Sequence, residues 1–220
     1  MAKADKNACG AEICGARPGR PVAISPEDRR RIVLDALDNQ FGEAGMAGLT
    51  MTAIAGRAGM SKRTLYGLFA DRDALFAAYM ERAKTRFLRP LPPEARDAPL
   101  EQRLRLMLQP EGISAQLDLP LEILRIAVAD GAAPTDLGRL CRENGSGQVR
   151  GLIQAELERA CQRGEIRCED VGAAAQLLKD MIQCPVLEIL VDPSCRPNEA
   201  DIAARFELGL ATFLRAFAVT

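Results

Sequence analysis

The sequence contains no histidine among its 220 residues. A chain without histidine cannot assemble a Ser-His or Cys-His nucleophile by itself. It also lacks the glycine-rich motifs of P-loop and dinucleotide-binding sites. Catalysis by a carboxylate or a lysine is the remaining route, and no pattern in the sequence points to it. We therefore predict no catalytic residues and no cofactor, and we expect that the protein is not an enzyme.

Long apolar runs are missing as well. No run approaches the roughly 18 residues that a membrane-spanning helix needs. The first residues, "MAKADKNACGAEICGARPGRP", contain no apolar segment of the kind found in a secretory signal, so we expect none. These absences predict a cytoplasmic protein without a membrane partner.

The cysteines are seven in number, which is odd, and their spacing is irregular. This pattern is typical of a reducing compartment rather than of a disulfide framework. Free cysteines often behave as small buried apolar residues. Because histidine is absent, thiolates and methionines are the only soft metal ligands. We predict no metal site, and a regulator that senses thiol chemistry or soft metals through its cysteines remains the alternative.

Charge is unevenly distributed although the net charge is only -1. The part up to Arg89 has 15 Lys and Arg against 10 Asp and Glu, whereas the remainder has 14 against 20. A basic first part and an acidic second part indicate two different tasks, with nucleic acid as a candidate partner of the first. Local scatter in a small charge total is the alternative explanation.

The hydrophobic periodicity predicts an all-α protein, since no convincing alternating strand and no internal repeat is present. Ser25 and Pro26 mark the start of a first helix that ends near Ala44. A glycine at position 59 separates two short helices. The N-cap candidates of the next three helices are Thr50, Ser61 and Asp71. Helix, short glycine-containing turn and helix together are the pattern of a helix-turn-helix unit.

A proline-rich segment, "RPLPPEARDAP" at residues 89–99, separates this part from the rest. The helices predicted after it lie near residues 99–109, 114–131, 134–143, 146–163, 169–191 and 198–218. We divide the chain into a flexible N-terminal arm (1–24), a helix-turn-helix domain (25–71) and a helical C-terminal domain (72–220).

The third helix, within "SKRTLYGLF" at residues 61–69, has two distinct faces. Leu65, Leu68 and Phe69 share one face and are expected to dock on the first two helices. The residues predicted to point outward together are Lys62, Arg63, Tyr66 and Gly67. Such a cationic face fits the DNA major groove, and the helix N-terminus at Ser61 favours a phosphate. A solvated face on a core helix is the competing interpretation.

Residues 48–80, "GLTMTAIAGRAGMSKRTLYGLFADRDALFAAYM", resemble the DNA-binding domain of TetR-family transcriptional regulators. The resemblance implies that Thr50 and Thr52 lie near the DNA backbone and that Tyr66 anchors a phosphate. It places Lys62, Arg63 and Thr64 toward the major groove, and Arg72 at a cationic position that touches the backbone. Gly67 and Leu68 depart from the bulkier residues that the family often has there.

The segment "RPGRP" at residues 17–21 resembles the core of AT-hooks, which lie in narrow A·T minor grooves. Arg20 is therefore a candidate minor-groove contact. A tail with incidental arginines is the alternative.

Residues 121–144 resemble the central helices of AcrR/AefR-like members of the TetR family. The resemblance implies a C-terminal domain that dimerises and binds an effector, with the predicted helices 169–191 and 198–218 at the dimer interface. A charge at Leu187 or Phe213 is expected to dissociate the dimer if either residue lies on that interface. The function implied is a ligand-responsive regulator, most often a repressor, that binds a palindromic double-stranded DNA operator as a homodimer. A structural protein that binds DNA without sequence choice is a further alternative.

The effector is unknown and is expected to be mostly apolar. Its candidate contacts are the polar residues inside apolar helices: Glu122, Arg125, Asp180 and Gln183. These groups could equally bond to each other or to the partner subunit.

Overall fold

A computed structural model describes residues 24–85, 88–108, 117–129 and 136–219. The α-helices within these ranges, in chain order, are α1 (Pro26–Ala44), α2 (Met51–Arg57), α3 (Lys62–Leu68), α4 (Arg72–Lys84), α5 (Leu100–Met107), α6 (Asp118–Ala129), α7 (Asp136–Asn144), α8 (Ser146–Gln162), α9 (Val171–Ile182), α10 (Val186–Val191) and α11 (Glu199–Phe217). In the same ranges, β-type pairing is limited to two isolated bridges. The predicted all-α class is confirmed.

The helix starts follow from capping side chains. Four predicted N-cap side chains accept a hydrogen bond, at 2.7 to 3.1 Å, from the backbone N–H of the residue three positions later. These N-caps are Ser25, Thr50, Ser61 and Asp71. Asn198 completes a reciprocal capping box with Asp201 at the start of α11. These bonds satisfy N–H groups that the first helical turn leaves free. The predicted starts of the first four helices and of the last are confirmed.

The prediction of one long helix over residues 169–191 is wrong. α9 ends at Ile182, the backbone at Gln183 is extended, and α10 begins after Pro185. Proline has no N–H to donate and its ring collides with the preceding helical turn. The preceding residue is also driven out of the helical region. The apolar periodicity continues through this break, which is why the pattern predicted a single helix.

Two clusters of buried side chains form the core. The first cluster contains the apolar faces of α1 to α4 and continues into α6 and α7 through Ile123 and Leu137. The second cluster is formed by α5, α8, α9 and α11. α4 therefore belongs to the core of the helix-turn-helix unit and also packs against α6 and α7.

A buried arginine organises the second cluster. The Arg103 side chain is fully buried, and its Nε donates to a Glu156 carboxylate oxygen at 2.5 Å. The same guanidinium donates to the two carboxylate oxygens of Glu165 at 3.1 and 2.9 Å and to the carbonyl of Ala98. Every N–H group of a buried guanidinium must be bonded if its loss of hydration is to be offset. This network joins α5 and α8 to the turn that follows α8.

Phe213 lies in the second cluster and is 1% exposed. A charge at Phe213 would disrupt the core of the subunit, so this residue is unsuitable as a test of dimerisation. Leu187, by contrast, is 74% exposed on the separate helix α10.

α9 and α11 approach each other closely at Gly209. A Cβ atom built at this glycine would lie 3.1 Å from the carbonyl carbon and oxygen of Met181 and from Cγ2 of Ile182. Because backbone atoms cannot move aside easily, this crossing favours a residue without a side chain.

We predict that Gly209→Ala lowers the free energy of unfolding by about 1–3 kcal/mol because it overpacks the crossing of α9 and α11. Gly151→Ala on α8 is the matched control, since a Cβ atom there meets nothing within 4 Å. Its higher helix propensity should raise stability by up to about 1 kcal/mol. Chemical denaturation followed by circular dichroism measures both, and equal effects of the two substitutions would contradict the close approach.

Candidate functional site

The turn between α2 and α3 fixes the relative placement of these two helices. Gly59 has a positive φ of 65°, which residues with side chains rarely adopt. The N–H of Met60 donates to the carbonyl of Ala55 at 2.9 Å, so the end of α2 is closed by a glycine-based C-cap. Ser61 then caps α3 directly, so that only the four residues 58–61 separate the two helices. This geometry is that of a helix-turn-helix unit.

α3 has the two faces that its sequence predicts. Leu65 and Phe69 are 0% and 2% exposed and pack into the first cluster. Lys62, Arg63 and Tyr66 are exposed, with Tyr66 at 50%. A Cβ atom at Gly67 would meet nothing within 4 Å, so the outer face is open at this position.

The remaining DNA candidates lie beside this face or at helix starts. Thr50 and Thr52 are exposed at the start of α2, and Arg72 is exposed at the start of α4 with its guanidinium 5.1 Å from the ring centre of Phe76. Thr64 is half-buried, and its hydroxyl lies 2.9 Å from that of Ser61. Arg20 and the segment "RPGRP" lie outside the described residues.

The cations of this region fall into paired and unpaired groups. Arg57 donates to Glu43 and Gln40 and so ties α2 to α1, and the hydrogen bond from Arg57 lowers the pKa of the Glu43 carboxyl. Lys62 and Arg63, in contrast, have neither an ion pair nor a side-chain hydrogen bond within the described part of the chain. Their positive charges are therefore free to meet an anionic partner.

Arg30 of α1 holds the C-terminal end of α3. Its guanidinium lies 4.5 Å from the ring centre of Phe69 and donates to the carbonyl of Leu68 at 2.8 Å. A cation at this end also complements the helix dipole. Sequence analysis missed this role because Arg30 lies within a basic run, and spacing does not distinguish a solvated cation from one that contacts another helix.

A second set of bonds, called the clasp below, joins Arg82 and Tyr79 of α4 to α1. The Arg82 guanidinium donates to Asp35 at 2.5 Å and to the carbonyl of Leu34 at 2.8 Å, and it also pairs with Asp38. The Tyr79 hydroxyl donates to Asp38 as well. Charge-assisted bonds of this kind fix orientation as well as distance.

A cavity of about 480 Å³ lies on the other side of α4. This volume is ordinary for a small-molecule site. Its described lining comes from α4 and from α6 to α11 and is largely apolar; it includes Met80, Ala83, Leu124, Val149, Ile182 and Phe206. The polar side chains of the lining are Lys84, Cys141, Arg142, Ser146, Lys179, Gln183 and Cys184.

Of the four sequence-predicted ligand residues, only Gln183 lines this cavity. Glu122 and Arg125 pair with each other, and Arg125 lies 3.4 Å from the carbonyl of Ile189 on α10. Asp180 is mostly exposed and accepts two hydrogen bonds from Gln176. Polarity within an apolar helix does not reveal which side of the helix faces an internal space.

Burial disfavours the thiolate form of the two cysteine side chains at the cavity, and this effect raises the pKa of each. Burial raises the pKa of Cys141 to about 11, and burial also raises the pKa of Cys184. Reactive and metal-binding cysteines require the opposite shift. The described residues also contain no cluster of three or more potential metal ligands. The raised pKa values do not favour Cys141 or Cys184 as a sensing thiol.

Two family models match the chain. Residues 33–79 match the family described as bacterial regulatory proteins, tetR family. Residues 100–219 match the C-terminal domain of AefR-like transcriptional repressors, which is more than half of the chain. The chain belongs to the TetR family. It is a DNA-binding protein of transcription regulation with an N-terminal helix-turn-helix domain and a helical C-terminal domain.

Solved structures agree with this assignment of the TetR family. A TetR transcriptional regulator of Agrobacterium tumefaciens is 26% identical, with a TM-score of 0.62 over 89% of this chain and 96% of the other. The flavonoid-responsive regulator FrrA is 25% identical, with a TM-score of 0.57 over 87% and 98%. A protein of Mesorhizobium loti assigned to the same family shares the fold at 24% identity, with a TM-score of 0.62 over 89% and 100%. None of the curated proteins compared with the chain matches it.

In the part of this TetR-family protein that the structure describes, no helix combines the length and the apolar character that crossing a membrane demands.

We predict that Lys62→Ala weakens operator binding and reduces the salt dependence of binding by about one charge, because one phosphate neutralisation is lost. Tyr66→Phe should weaken binding without changing the salt slope. Fluorescence anisotropy at several salt concentrations measures both effects. Arg150→Ala, which removes an exposed cation on α8, is the control. Unchanged affinity and slope for Lys62→Ala would contradict the assigned DNA face.

Proposed function

We propose that this protein is a homodimeric, ligand-responsive transcriptional regulator that represses genes by binding a roughly palindromic operator in the cytoplasm. It has no catalytic activity. The observation that carries this proposal is the arrangement of α4, which is bonded to α1 on one side and lines the apolar cavity on the other. A ligand in the cavity therefore touches the helix that supports the DNA-binding unit.

The unpaired cations on α3 support DNA binding through residues 25–71, with residues 72–220 serving the ligand and the partner subunit. The proposed DNA contacts are Arg20, Thr50, Thr52, Ser61, Lys62, Arg63, Thr64, Tyr66 and Arg72. One recognition helix contacts too few base pairs for useful specificity, so two subunits must bind two half-sites. This requirement distinguishes a regulator from a structural protein that binds DNA without sequence choice.

Exposed apolar side chains on the last long helices support a dimer interface there. Leu177 on α9 is 48% exposed and Leu208 on α11 is 71% exposed, although their helices pack against each other through the opposite faces. Large apolar side chains left in water at the surface of a subunit are typical of an interaction surface.

We predict that Leu208→Arg dissociates the dimer, because a charge would be buried at the interface. Sedimentation velocity at micromolar concentration measures the mass, and Leu152→Arg, which changes an exposed leucine on α8, is the matched control. DNA fragments selected by the wild-type protein should contain two inverted half-sites. A monomeric wild-type protein that binds a single operator tightly would contradict the proposal.

The effector acts by shifting a population between two arrangements of the dimer. It stabilises the arrangement in which the two α3 helices no longer match the spacing of one DNA turn, roughly 34–36 Å. The similar regulator FrrA is flavonoid-responsive. We propose that this chain likewise responds to a small, mostly apolar molecule. Glu122, Arg125 and Asp180 are peripheral to this role, and Gln183 is a proposed ligand contact.

We predict reciprocal coupling between ligand and operator. Any molecule that binds the cavity and weakens operator affinity must itself bind more weakly, by the same factor, once the operator is present. Isothermal titration with and without operator measures this factor. Equal ligand affinities in the two titrations would mean that the cavity ligand is not an effector.

A further inference from the structure

Lys84 is a buried cation that has no countercharge among the residues that the structure describes. It lies at the C-terminal end of α4, is 8% exposed and lines the cavity. Its ammonium donates to the side-chain oxygen of Gln148, which is neutral. No carboxylate pairs with Lys84 anywhere in the described ranges. The burial of a charge beside a neutral amide is costly, and the cost falls when an anion is supplied.

A second lysine contributes to the same cavity from another wall. The side chain of Lys179 on α9 is 12% exposed. Its ammonium lies 3.2 Å from a carboxylate oxygen of Asp180, and that carboxylate is 56% exposed and also accepts hydrogen bonds from Gln176. Lys179 is therefore partly neutralised from the outside, while Lys84 has no carboxylate partner in the described part of the chain.

The described lining of the cavity contains lysine, arginine and neutral side chains but no aspartate or glutamate. Arg142, the third cation, is mostly exposed and pairs with Glu143, so it lies at the edge of the site. An apolar space with buried positive charge and no negative charge attracts an apolar molecule that carries a negative charge, and it repels a cationic one.

We propose that the cavity binds an apolar molecule that carries one carboxylate group, and that Lys84 is the residue to which this carboxylate bonds. This inference rests on the proposed effector role of the cavity and names the chemical class of its ligand. The body of the ligand packs against the apolar walls, and its carboxylate replaces the missing countercharge. A neutral ligand of the same shape leaves Lys84 uncompensated and binds more weakly.

The location of Lys84 explains how such a ligand affects DNA binding. Lys84 lies two positions after Arg82, whose guanidinium holds α1 through Asp35 and Asp38. A bond from the ligand to Lys84 therefore forms on the same helical turn as the clasp to the DNA-binding unit. The same end of α4 therefore determines both the preference for an anion and the effect of that anion on operator binding.

The test uses decanoate, decanol and decylammonium, which share one apolar chain and differ in charge, with 2-naphthoate and 2-naphthol as an aromatic pair. Isothermal titration with the full-length protein measures each affinity. We expect the acids to bind at least about tenfold more tightly than their uncharged counterparts, since one hydrogen-bonded ion pair is gained. The stronger of the two acids indicates whether the ligand body is aliphatic or aromatic.

Lys84→Met should weaken binding of the preferred acid by about tenfold to a hundredfold and leave the uncharged counterpart unchanged. Lys84→Arg should restore most of the preference, and Arg142→Gln is the control that removes a cation from the edge. Circular dichroism checks that each variant is folded. The preferred acid should also release operator DNA from the wild type and not from Lys84→Met.

Equal binding of acid and alcohol, an acid affinity unaffected by Lys84→Met, or no binding of either acid would overturn the proposal. These outcomes separate it from the proposed function. If an uncharged probe binds and releases the operator, the proposed regulatory function is supported and only the preference for an anion is rejected. If the wild type binds no operator in the absence of probes, the proposed function itself is rejected.

Discussion

The clasp between α4 and α1 is the contact on which the rest of the arrangement depends. Arg82 and Tyr79 are both bonded to Asp38, so α4 cannot rotate or slide along α1 without breaking charge-assisted bonds. The opposite side of the same helix contributes Met80 and Lys84 to the cavity wall. α4 is thus a shared element that joins the cavity wall to the DNA-binding unit through bonds rather than through a linker.

The C-terminal helices provide the support that makes this shared element effective. Arg103, Glu156 and Glu165 form a largely buried ionic network in which each guanidinium nitrogen donates to an acceptor. Removal of one partner from such a network typically costs about 3–5 kcal/mol, because the remaining charge is left buried and uncompensated. The network therefore holds α5 against α8, and α8 also contributes Val149 to the cavity lining.

Cations have opposite roles in this molecule according to whether they are paired. Arg30 and Arg57 bond to neighbouring helices and so stabilise the DNA-binding unit. Lys62 and Arg63 have no such contact in the described structure and carry positive charge on the outer face of α3. Lys84 is a third case, because it is buried beside a neutral side chain. The sequence shows all five as equivalent positive residues.

The sequence by itself determined the helix starts, the turn at Gly59 and the two faces of α3, because capping, positive φ and apolar spacing act over a few neighbouring residues. The helix break before Pro185 also has a local cause, which the continuing apolar periodicity masked. Only the tertiary structure decided which polar groups line the cavity. Glu122 and Asp180 stand out among apolar neighbours but bond outside the cavity, whereas Lys84 looks like a surface cation and is buried. Pairing and burial depend on helices that are distant in the sequence, so local spacing carries no information about them.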